Sequence, residues 1–408
     1  MTTSAVGRFH PASPELATER FDVLADIRAE SPVAFVPAIG MWAVTGHDEI
    51  REVLAAPARF RSGGSFIPSD HLPAQAFAVY PADGPLWRYS MVSSDGEQHR
   101  RLRGAMSRAF TARRVNSLEP VITADAEDLL RQMFADGSTS GDLFAEFARP
   151  LPSRTIARFF GLAVQEAPRF SGWSDAFVVP LVPGLPVAAY VHAAAQFAAF
   201  DAYLREIVTG DLRGIGDGII RSLVEGKRDG SHDLTEDELV GDIANVVFAG
   251  HETTVSTLSN IFVRLLRDRD LWGSLADGSV EIDPLVEELL RLDTSGIGLF
   301  RVSDAATRLG EVDLPAQAKL WVSFGGANRD PAVFDDPDRL MAGRSRAGES
   351  MTFGRGVHGC IGAALARAQV RIAVSAVPAA FPTLTLSGEV PEVPNYVIRA
   401  TPRLPVTR

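Results

Sequence analysis

One ten-residue segment limits what this chain can be more than any other feature. Residues 353–362 read Phe-Gly-Arg-Gly-Val-His-Gly-Cys-Ile-Gly and fit the pattern FGxGxHxCxG at every fixed position. The glycines permit a tight turn in which backbone N–H groups approach a sulfur atom, and a helix-forming run follows from Ala363. Both the N–H dipoles and the start of a helix favour a thiolate over a thiol. The segment therefore favours an ionised Cys360.

Cys360 is the only cysteine among 408 residues. A single cysteine excludes an internal disulfide framework and a zinc site built from several thiolates. On the residues alone, three roles remain open for it: an inert thiol in the core, a catalytic nucleophile, or a ligand of a metal or of heme iron.

The composition is that of a folded globular protein, with 46% hydrophobic and 22% charged residues. A net charge of −11 argues against nucleic acid as the main partner. The length alone is compatible with one or two domains. Because no repeat or linker divides the sequence, we expect one catalytic domain spanning residues 1–408.

The amino terminus lacks the basic flank and apolar core of a secretory signal. Residues 176–200 carry no charged side chain, but Pro180, Pro183 and Pro186 interrupt them. We therefore expect a loop and the start of a helix there rather than a membrane span. These features predict a cytoplasmic protein without membrane contact.

Helical patterns dominate the middle of the chain, and β-forming runs lie near both ends. Runs of β-forming residues on either side of Gly40 predict a hairpin, followed by a short helix over residues 47–56. Further on, Thr235 and Glu238 form a capping-box pattern. No proline occurs from Glu236 to Asp268, which predicts one very long helix.

The cysteine segment and the long helix together resemble the cytochrome P-450 superfamily, and the resemblance covers nearly the whole chain. It implies a mainly α fold, a triangular helical prism with small β-sheets. It also implies heme b as the cofactor, with Cys360 as the axial ligand of the iron. Phe353, Gly354 and Gly362 would then lie against the heme.

The resemblance also implies residues that bind the two heme propionates. His99 and Arg103, four residues apart on one helix face, are similar to the family's propionate-binding pair, and Arg301 and His358 would complete the set. On the residues alone, His99 and Arg103 are also compatible with a solvated basic face.

The centre of the long helix, Ala249-Gly250-His251-Glu252-Thr253, matches the family's [AG]Gx[DE]T segment. The match implies that Ala249 and Gly250 lie beside the heme, with the helix opening locally at Gly250. Glu252 and Thr253 would deliver protons while dioxygen is reduced. For Thr253 the alternative is a hydroxyl bonded back to the carbonyl four residues earlier. We expect His251 to be neutral and to face a neighbouring helix.

Three further residues match the family's structural motifs. Glu288 and Arg291 fit ExxR, and Arg339 lies in a segment similar to FxxPxR. The resemblance implies that the three form a buried triad that supports the core on the heme side. Without it, a glutamate and an arginine three residues apart on a helix are more often an exposed salt bridge.

The activity implied by the resemblance is that of a heme-thiolate monooxygenase that consumes dioxygen and two electrons. Since the chain contains no reductase module, we expect the electrons to come from NAD(P)H through a ferredoxin and a ferredoxin reductase. Two alternatives remain: a peroxide-using or nitric-oxide-reducing enzyme of the same fold, and a non-catalytic heme sensor or electron carrier. A carrier would need protein ligands on both sides of the iron, whereas the distal segment offers Gly250 and small side chains.

The segments with which the family lines its pocket are largely apolar here, which predicts a bulky, mostly apolar substrate. We expect hydroxylation or epoxidation of a secondary-metabolite intermediate: a polyketide, a terpenoid or a modified peptide. The predicted lining residues are Phe66, Trp87, Phe177, Val178, Val246, Ile297, Leu299, Tyr396 and Val397.

An acidic ferredoxin would need a locally basic surface on this acidic chain. By the resemblance, seven arginines belong to the cysteine side and are expected to form that surface: Arg100, Arg101, Arg113, Arg114, Arg344, Arg346 and Arg355.

Overall fold

The structure is a computed structural model that describes residues 4–11, 13–65, 72–80, 89–182 and 184–408. Helix dominates these residues, as the sequence predicts. The α-helices are, in chain order, α1 (Ala5–Arg8), α2 (Pro14–Thr18), α3 (Arg20–Glu30), α4 (His47–Ala55), α5 (Ala74–Phe77), α6 (Gly96–Ala109), α7 (Ala112–Gln132), α8 (Pro150–Phe160), α9 (Ala167–Val178), α10 (Val187–Thr209), α11 (Ile219–Arg228), α12 (Glu236–Arg267), α13 (Arg269–Ala276), α14 (Ile282–Asp293), α15 (Phe324–Ala327) and α16 (Ala363–Ala380).

Ten short strands in the described residues form three small sheets. The strands are β1 (Val33–Val36), β2 (Met41–Val44), β3 (Phe60–Arg61), β4 (Ser140–Asp142), β5 (Leu299–Ser303), β6 (Thr307–Leu309), β7 (Val312–Leu314), β8 (Lys319–Val322), β9 (Thr385–Leu386) and β10 (Pro405–Thr407). The largest sheet has the order β1-β2-β8-β5-β3, a second has the order β4-β10-β9, and β6 pairs with β7. The prediction of a mainly α chain with small β-sheets is confirmed.

The chain divides into two compact units, each assembled from separate stretches of sequence. Unit 1 consists of residues 1–61, 123–149 and 253–408, and unit 2 consists of residues 62–122 and 150–252. All the strands described above belong to unit 1, whereas the regular structure described in unit 2 is helical. The expectation of one catalytic domain stays a prediction.

In unit 1, the predicted amino-terminal hairpin is confirmed. β1 and β2 are antiparallel with Val33 opposite Val44, and Gly40 in the turn has a φ of +62°. The predicted short helix follows as α4. Its residues Ile50 and Val53 are fully buried in one apolar core with Leu320 of β8. This burial explains why α4 lies against the sheet.

In unit 2, the predicted start of the long helix is confirmed in atomic detail. The Glu238 N–H donates to the Thr235 Oγ1 at 3.1 Å, and the Thr235 N–H donates to the Glu238 Oε2 at 2.9 Å. This reciprocal pair is the capping box expected from the sequence. From there α12 runs without a break for 32 residues.

The charge-free stretch 176–200 is divided between α9 and α10, with the 3₁₀ turn Val179–Leu181 between them. Trp173 of α9 stacks on Phe200 of α10, with ring centroids 4.7 Å apart. No helix in the described part of the chain has the length and apolar character needed to cross a membrane.

Candidate active site

The cysteine segment of unit 1 is a tight turn held by its own backbone. The Cys360 N–H donates to the Phe353 carbonyl oxygen at 2.8 Å, and the Gly359 N–H donates to the Gly356 carbonyl oxygen at 3.1 Å. Gly354 and Gly356 have φ values of +61° and +73°. A Cβ atom on Gly356 would lie 2.6 Å from the Leu54 carbonyl oxygen, so only glycine fits there.

The Cys360 side chain is exposed and stands just before a helix. α16 begins three residues after it, with Gly362 as the N-cap residue. An exposed thiol beside the amino terminus of an 18-residue helix has the environment that favours a thiolate. The role of an inert core thiol does not fit an exposed side chain. The donor and its surroundings fit an axial ligand of heme iron.

Behind this turn, a buried ion pair confirms the predicted contact between Glu288 and Arg291 of α14. The Arg291 Nε and Nη2 atoms donate to the two carboxylate oxygens of Glu288 at 2.8 and 2.7 Å, and both side chains are about 1% exposed. A bidentate pair of this kind is strong and directional. The reading of these two residues as an exposed salt bridge is therefore wrong.

The prediction that Arg339 is the third member of this triad is wrong, because Arg344 occupies that place. The Arg344 Nε donates to the Glu288 Oε1 at 3.0 Å, and its side chain is 5% exposed. Arg339 has an exposed side chain and contributes its main-chain carbonyl oxygen, which accepts from Arg344 at 2.9 Å. The turn after Pro337 thus directs the later arginine inward, which sequence spacing alone did not reveal.

The charge state of Glu288 follows from these contacts. Burial by itself favours the neutral carboxyl. The hydrogen bonds and charge of Arg291, with those of Arg344 and the N–H of Met341, outweigh burial and hold the pKa of Glu288 below its ordinary value. The triad is therefore ionised at neutral pH.

Asn328 joins this triad to the cysteine segment. The Arg291 Nη1 donates to the Asn328 carbonyl oxygen at 2.6 Å, and the Asn328 Oδ1 accepts from the Met351 N–H at 2.6 Å. Its Nδ2 donates to the Thr352 Oγ1 at 2.9 Å. The triad therefore fixes the residues that lead directly into Phe353, a structural role that agrees with the one implied for Glu288 and Arg291.

Arg367 of α16 supports the same turn from the other side. Its guanidinium lies 4.4 Å from the ring centroid of Phe353 and binds both carboxylate oxygens of Glu287, at 2.6 and 3.1 Å. A cavity of about 250 Å³ borders Phe353, Arg355 and Arg367. The sequence analysis did not identify Arg367 or Glu287, because a partner 80 residues away leaves no local pattern.

In unit 2, the predicted distal residues lie at the end of that unit's part of α12. His251 is 1% exposed, and its Nε2 contacts the Ser153 Oγ at 2.8 Å and the Ser171 Oγ at 3.1 Å. The expectation that His251 faces a neighbouring helix is confirmed, since Ser153 lies on α8 and Ser171 on α9. The Glu252 side chain is 15% exposed, with its Oε2 at 4.0 Å from the His251 Nδ1.

The predicted local opening of the helix at Gly250 is wrong, because α12 is α-helical throughout. A Cβ on Gly250 would lie 2.7 Å from the Ile156 Cδ1, so this glycine permits close packing against α8. Ala249 precedes it in the same turn. On the unit 1 side of the boundary, the Thr253 carbonyl oxygen accepts from the Ser295 Oγ at 2.8 Å.

The four predicted propionate-binding residues fall into two pairs. In unit 2, His99 and Arg103 lie one turn apart on α6, and His99 is 7% exposed. In unit 1, Arg301 of β5 is buried and its Nη1 donates to the Phe300 carbonyl oxygen at 2.6 Å, while His358 ends the 3₁₀ turn that precedes Cys360. Buried or half-buried N–H donors of arginine and histidine suit carboxylate partners.

A buried carboxylate that the sequence analysis missed lies along α12. The Asp242 Oδ1 accepts from the Met91 N–H at 2.9 Å, and the side chain is 2% exposed. Burial, only partly offset by the Met91 hydrogen bond and the charge of Arg103, raises the pKa of Asp242 to about 7. Glu238, one turn earlier on α12, reinforces the rise. The only signal in the sequence is an aspartate in an otherwise apolar stretch.

The predicted substrate-lining residues of unit 2 are apolar and well packed. Phe177 stacks on Phe248 with ring centroids 5.0 Å apart, and Val246 is 6% exposed. Val178, the last residue of α9, is half-buried. Phe66 and Trp87 lie outside the residues that the structure describes.

In unit 1 the predicted lining residues are brought together by backbone contacts. The Ile297 N–H donates to the Val397 carbonyl oxygen at 2.9 Å, and both side chains are buried. Leu299 starts β5 and is 40% exposed. Tyr396 packs against Phe300 and Trp321, and burial raises its pKa to about 12, so its hydroxyl stays protonated.

The predicted basic surface is not borne out in the form proposed. Arg344 is turned inward, and the structure pairs five of the seven arginines with a carboxylate of their own unit. These pairs are Arg100 with Glu97, Arg101 with Glu238, Arg114 with Asp217, Arg344 with Glu288, and Arg355 with Glu349. Pairing cancels most of the local positive charge that would steer an acidic partner.

Comparisons with known proteins agree with this geometry. The chain matches the family model described as Cytochrome P-450 over residues 209–275 and 282–399. It is 31% identical to cytochrome P-450 107B1 of Saccharopolyspora erythraea over 416 aligned positions, covering 100% of this chain and 99% of the relative. It is also 31% identical to the mycinamicin IV hydroxylase/epoxidase of Micromonospora griseorubida, covering 94% of both chains. Among solved structures, it is similar to cytochrome P-450 CREJ in complex with (4-ethylphenyl) dihydrogen phosphate, with a TM-score of 0.90, 27% identity, and 98% and 99% coverage.

Proposed function

The chain belongs to the cytochrome P-450 family, and from that premise we propose that it hydroxylates or epoxidises a bulky, mostly apolar product of secondary metabolism. Membership makes it a heme-containing P-450 monooxygenase whose electrons come from NAD(P)H through redox partners. Bound heme supplies the oxidation chemistry, in which one atom of dioxygen enters the substrate and the other leaves as water.

Cys360 is the proposed axial ligand of the heme iron. The observation that carries the proposal is its exposed thiol, held by a backbone hydrogen bond on a glycine turn immediately before α16. A thiolate at this position would hold the iron and donate electron density to it. Phe353, Gly354 and Gly362 shape the turn around it, and His99, Arg103, Arg301 and His358 are the proposed propionate partners.

Glu252 and Thr253 are the proposed groups for proton delivery. A threonine hydroxyl can both donate and accept a hydrogen bond, as proton relay requires. The Glu252 side chain is partly exposed, so Glu252 exchanges protons with solvent more readily than a fully buried acid. Ala249 has only a methyl side chain, and Gly250 lets α12 pack closely against Ile156 of α8.

The proposed substrate is a polyketide, terpenoid or modified-peptide intermediate. The support is the apolar character of Phe177, Val246, Ile297 and Val397, together with the name of one relative, a hydroxylase/epoxidase of mycinamicin IV. Such a lining desolvates a bulky apolar ligand and leaves few polar contacts for orientation.

A ferredoxin with its reductase is the proposed electron donor, and a cytoplasmic location is the proposed setting. With most arginines of the expected surface paired, Arg346 and Arg113 remain as exposed candidates for steering the partner. Reversing both charges should weaken the salt dependence of the reduction rate only modestly.

The proposal is tested by measuring ligand-induced spin shifts of the heme, then turnover. Polyketide, terpenoid and peptide scaffolds should displace the Soret band, whereas small charged metabolites should not. With a ligand that shifts the band, Thr253→Ala should still bind it but divert electrons to hydrogen peroxide or water. Glu252→Gln should slow turnover by about 10²- to 10⁴-fold. Unchanged rate and coupling in both variants would contradict the assignment of these residues.

A further inference from the structure

A buried carboxylate and a buried amide on α12 have unused hydrogen-bond acceptors and no part in the function proposed so far. The Asp242 side chain is 2% exposed and Asn245 is 9% exposed. The Asp242 Oδ1 accepts from the Met91 N–H at 2.9 Å, whereas the Asp242 Oδ2 and the Asn245 Oδ1 have no hydrogen-bond partner among the described residues. Ser90, directly before Met91, is fully buried, and its Oγ also lacks a partner there. Unpaired buried polar atoms cost free energy, so a group of them indicates a place for a ligand.

These groups lie on the face of α12 that leads to the candidate active site. Asp242, Asn245 and Ala249 follow one another at intervals of three and four residues, so they share one face of the helix. Ala249 is the residue expected beside the heme, and Asp242 precedes it by about 10 Å along the helix axis. A ligand that is oxidised beside Ala249 therefore reaches Asp242 with a group at its other end.

The chemistry of the unused acceptors selects the ligand. An ionised carboxylate and an amide oxygen only accept hydrogen bonds, so the ligand has to donate. No hydrogen bond or ion pair links Asp242 to a cation of the described residues. Arg103 of α6 influences it through charge alone, and Glu238 on α12 is already paired with Arg101. Because a buried carboxylate without a cation is costly to ionise, a ligand that brings positive charge is favoured over one that brings only a hydroxyl.

We propose that Asp242 and Asn245 form a subsite for a protonated amine of the substrate, at the end of the substrate that lies away from the carbon to be oxidised. The inference rests on the proposed function, whose substrate class it narrows to apolar skeletons that carry a basic nitrogen. Both residues bind and orient the substrate and take no part in the oxygen chemistry.

The first test compares two ligands that share one apolar chain, decyldimethylamine and 1-decanol. The two methyl groups hinder direct ligation of iron by the nitrogen. The heme-loaded wild type should bind the amine at least about tenfold more tightly than the alcohol, as a hydrogen bond between charged groups allows. Asp242→Asn keeps an acceptor for the Met91 N–H and should lose this preference. Equal affinities in the wild type, measured by titration calorimetry, or a preference that survives in Asp242→Asn, would overturn the inference.

The chain offers a matched control one turn earlier on the same helix. Glu238→Gln removes one buried carboxylate charge, while the amide oxygen can still accept from the Thr235 N–H. Since Glu238 already has an arginine partner, its loss should leave the preference for the amine close to that of the wild type. An equal loss of preference in both variants would show that general negative charge attracts the amine, and the proposed contact with Asp242 would be refuted.

Proton release reports the contact with Asp242 without any substitution. The pKa of Asp242 is raised to about 7, and an ammonium group pairs with the ionised form, so binding at pH 7 should release about half a proton to the buffer. At pH 8.5 the carboxyl is already ionised, and the release should almost vanish. Calorimetry in buffers of different ionisation enthalpy counts the protons. No release by the wild type at pH 7 overturns the inference, even if Asp242→Asn fails to fold.

The subsite and the proposed function fail on different results. If decyldimethylamine binds as expected but no polyketide, terpenoid or peptide scaffold shifts the heme spin state, the proposed substrate class is wrong and the subsite is supported. If such scaffolds bind and their dimethylamino derivatives gain nothing over the neutral parents, the subsite is overturned and the proposed function stands.

Discussion

The cysteine segment of unit 1 and the centre of α12 in unit 2 are held in place by opposite means. The segment that ends at Cys360 depends on backbone hydrogen bonds, on positive φ angles, and on the ionised triad behind it. The environment of His251 consists of the hydroxyls of Ser153 and Ser171, with the Glu252 Oε2 at 4.0 Å from its Nδ1. A turn that presents a ligand to a metal needs one fixed geometry, whereas a region that supplies protons needs groups whose hydrogens can be rearranged.

The buried acids of the two regions differ in whether they stay charged at neutral pH. The pKa of Glu288 is held below its ordinary value by its arginine partners, so it stays charged. Burial raises the pKa of Asp242 to about 7, so it exchanges its proton near neutrality. The comparison therefore predicts a permanently charged support on the cysteine side and a titratable one along α12.

The largest loss of stability is expected from removing one arginine of the ionised triad of Glu288, Arg291 and Arg344. Arg344→Ala leaves the buried Glu288 with one arginine fewer, which should lower the free energy of unfolding by about 3–5 kcal/mol. The control is Arg339→Ala, which removes an exposed side chain and should change it by no more than about 0.5 kcal/mol. Urea denaturation of the heme-loaded variants measures both, and a reversed order would restore Arg339 as the third member.

A smaller loss of stability is expected from a substitution that strains the backbone of the turn around Cys360. Gly356→Ala forces a φ near +73° on a residue with a Cβ and places that Cβ against the Leu54 carbonyl. The strain alone should cost about 1–3 kcal/mol and lower heme occupancy. Gly273→Ala in α13, where a Cβ meets nothing within 4 Å, should instead stabilise by about 0.5–1 kcal/mol. If Gly356→Ala matched the wild type in stability and heme content, the turn would tolerate other conformations.

The smallest and most specific effect is a pH dependence of opposite sign in the two regions. Because the folded pKa of Asp242 is raised, its neutral form stabilises the fold below the ordinary carboxyl range, and this contribution is lost as pH rises through about 7. Because the pKa of Glu288 is lowered, its contribution is present above that range and is lost on acidification.

The measurement is a series of unfolding midpoints from pH 5 to pH 8. Wild type should lose stability relative to Asp242→Asn as the pH rises, since asparagine keeps an acceptor for the Met91 N–H but has no proton to release. Parallel curves for the two proteins would contradict the charge assignment along α12.

Sequence reasoning identified the parts of the site that local pattern determines. The turn around Cys360, the capping box of Thr235 and the pair of Glu288 with Arg291 depend on residues within ten positions of one another, and each has a recognisable spacing. The mainly helical fold followed from the resemblance that these motifs carry.

The parts of the site that the sequence did not predict depend on contacts between residues far apart in the sequence. Arg344 rather than Arg339 reaches Glu288, and the turn between the two arginines has a positive φ at Gly343 that no spacing in the sequence predicts. Ser153 and Ser171 meet His251 from 98 and 80 residues away, so no spacing marks them. The expected basic surface is not borne out in the form proposed, because five of its seven arginines pair with carboxylates, three of which come from distant stretches of the same unit.

The central claim, thiolate ligation of heme iron by Cys360, is tested most directly by the absorption spectrum of the reduced protein with carbon monoxide. We expect the strongly red-shifted Soret band of a thiolate-ligated heme, and its loss in Cys360→His although that variant still binds heme. A wild-type band at the shorter wavelength of a nitrogen-ligated heme, or a red-shifted band that persists in Cys360→His, would contradict the claim.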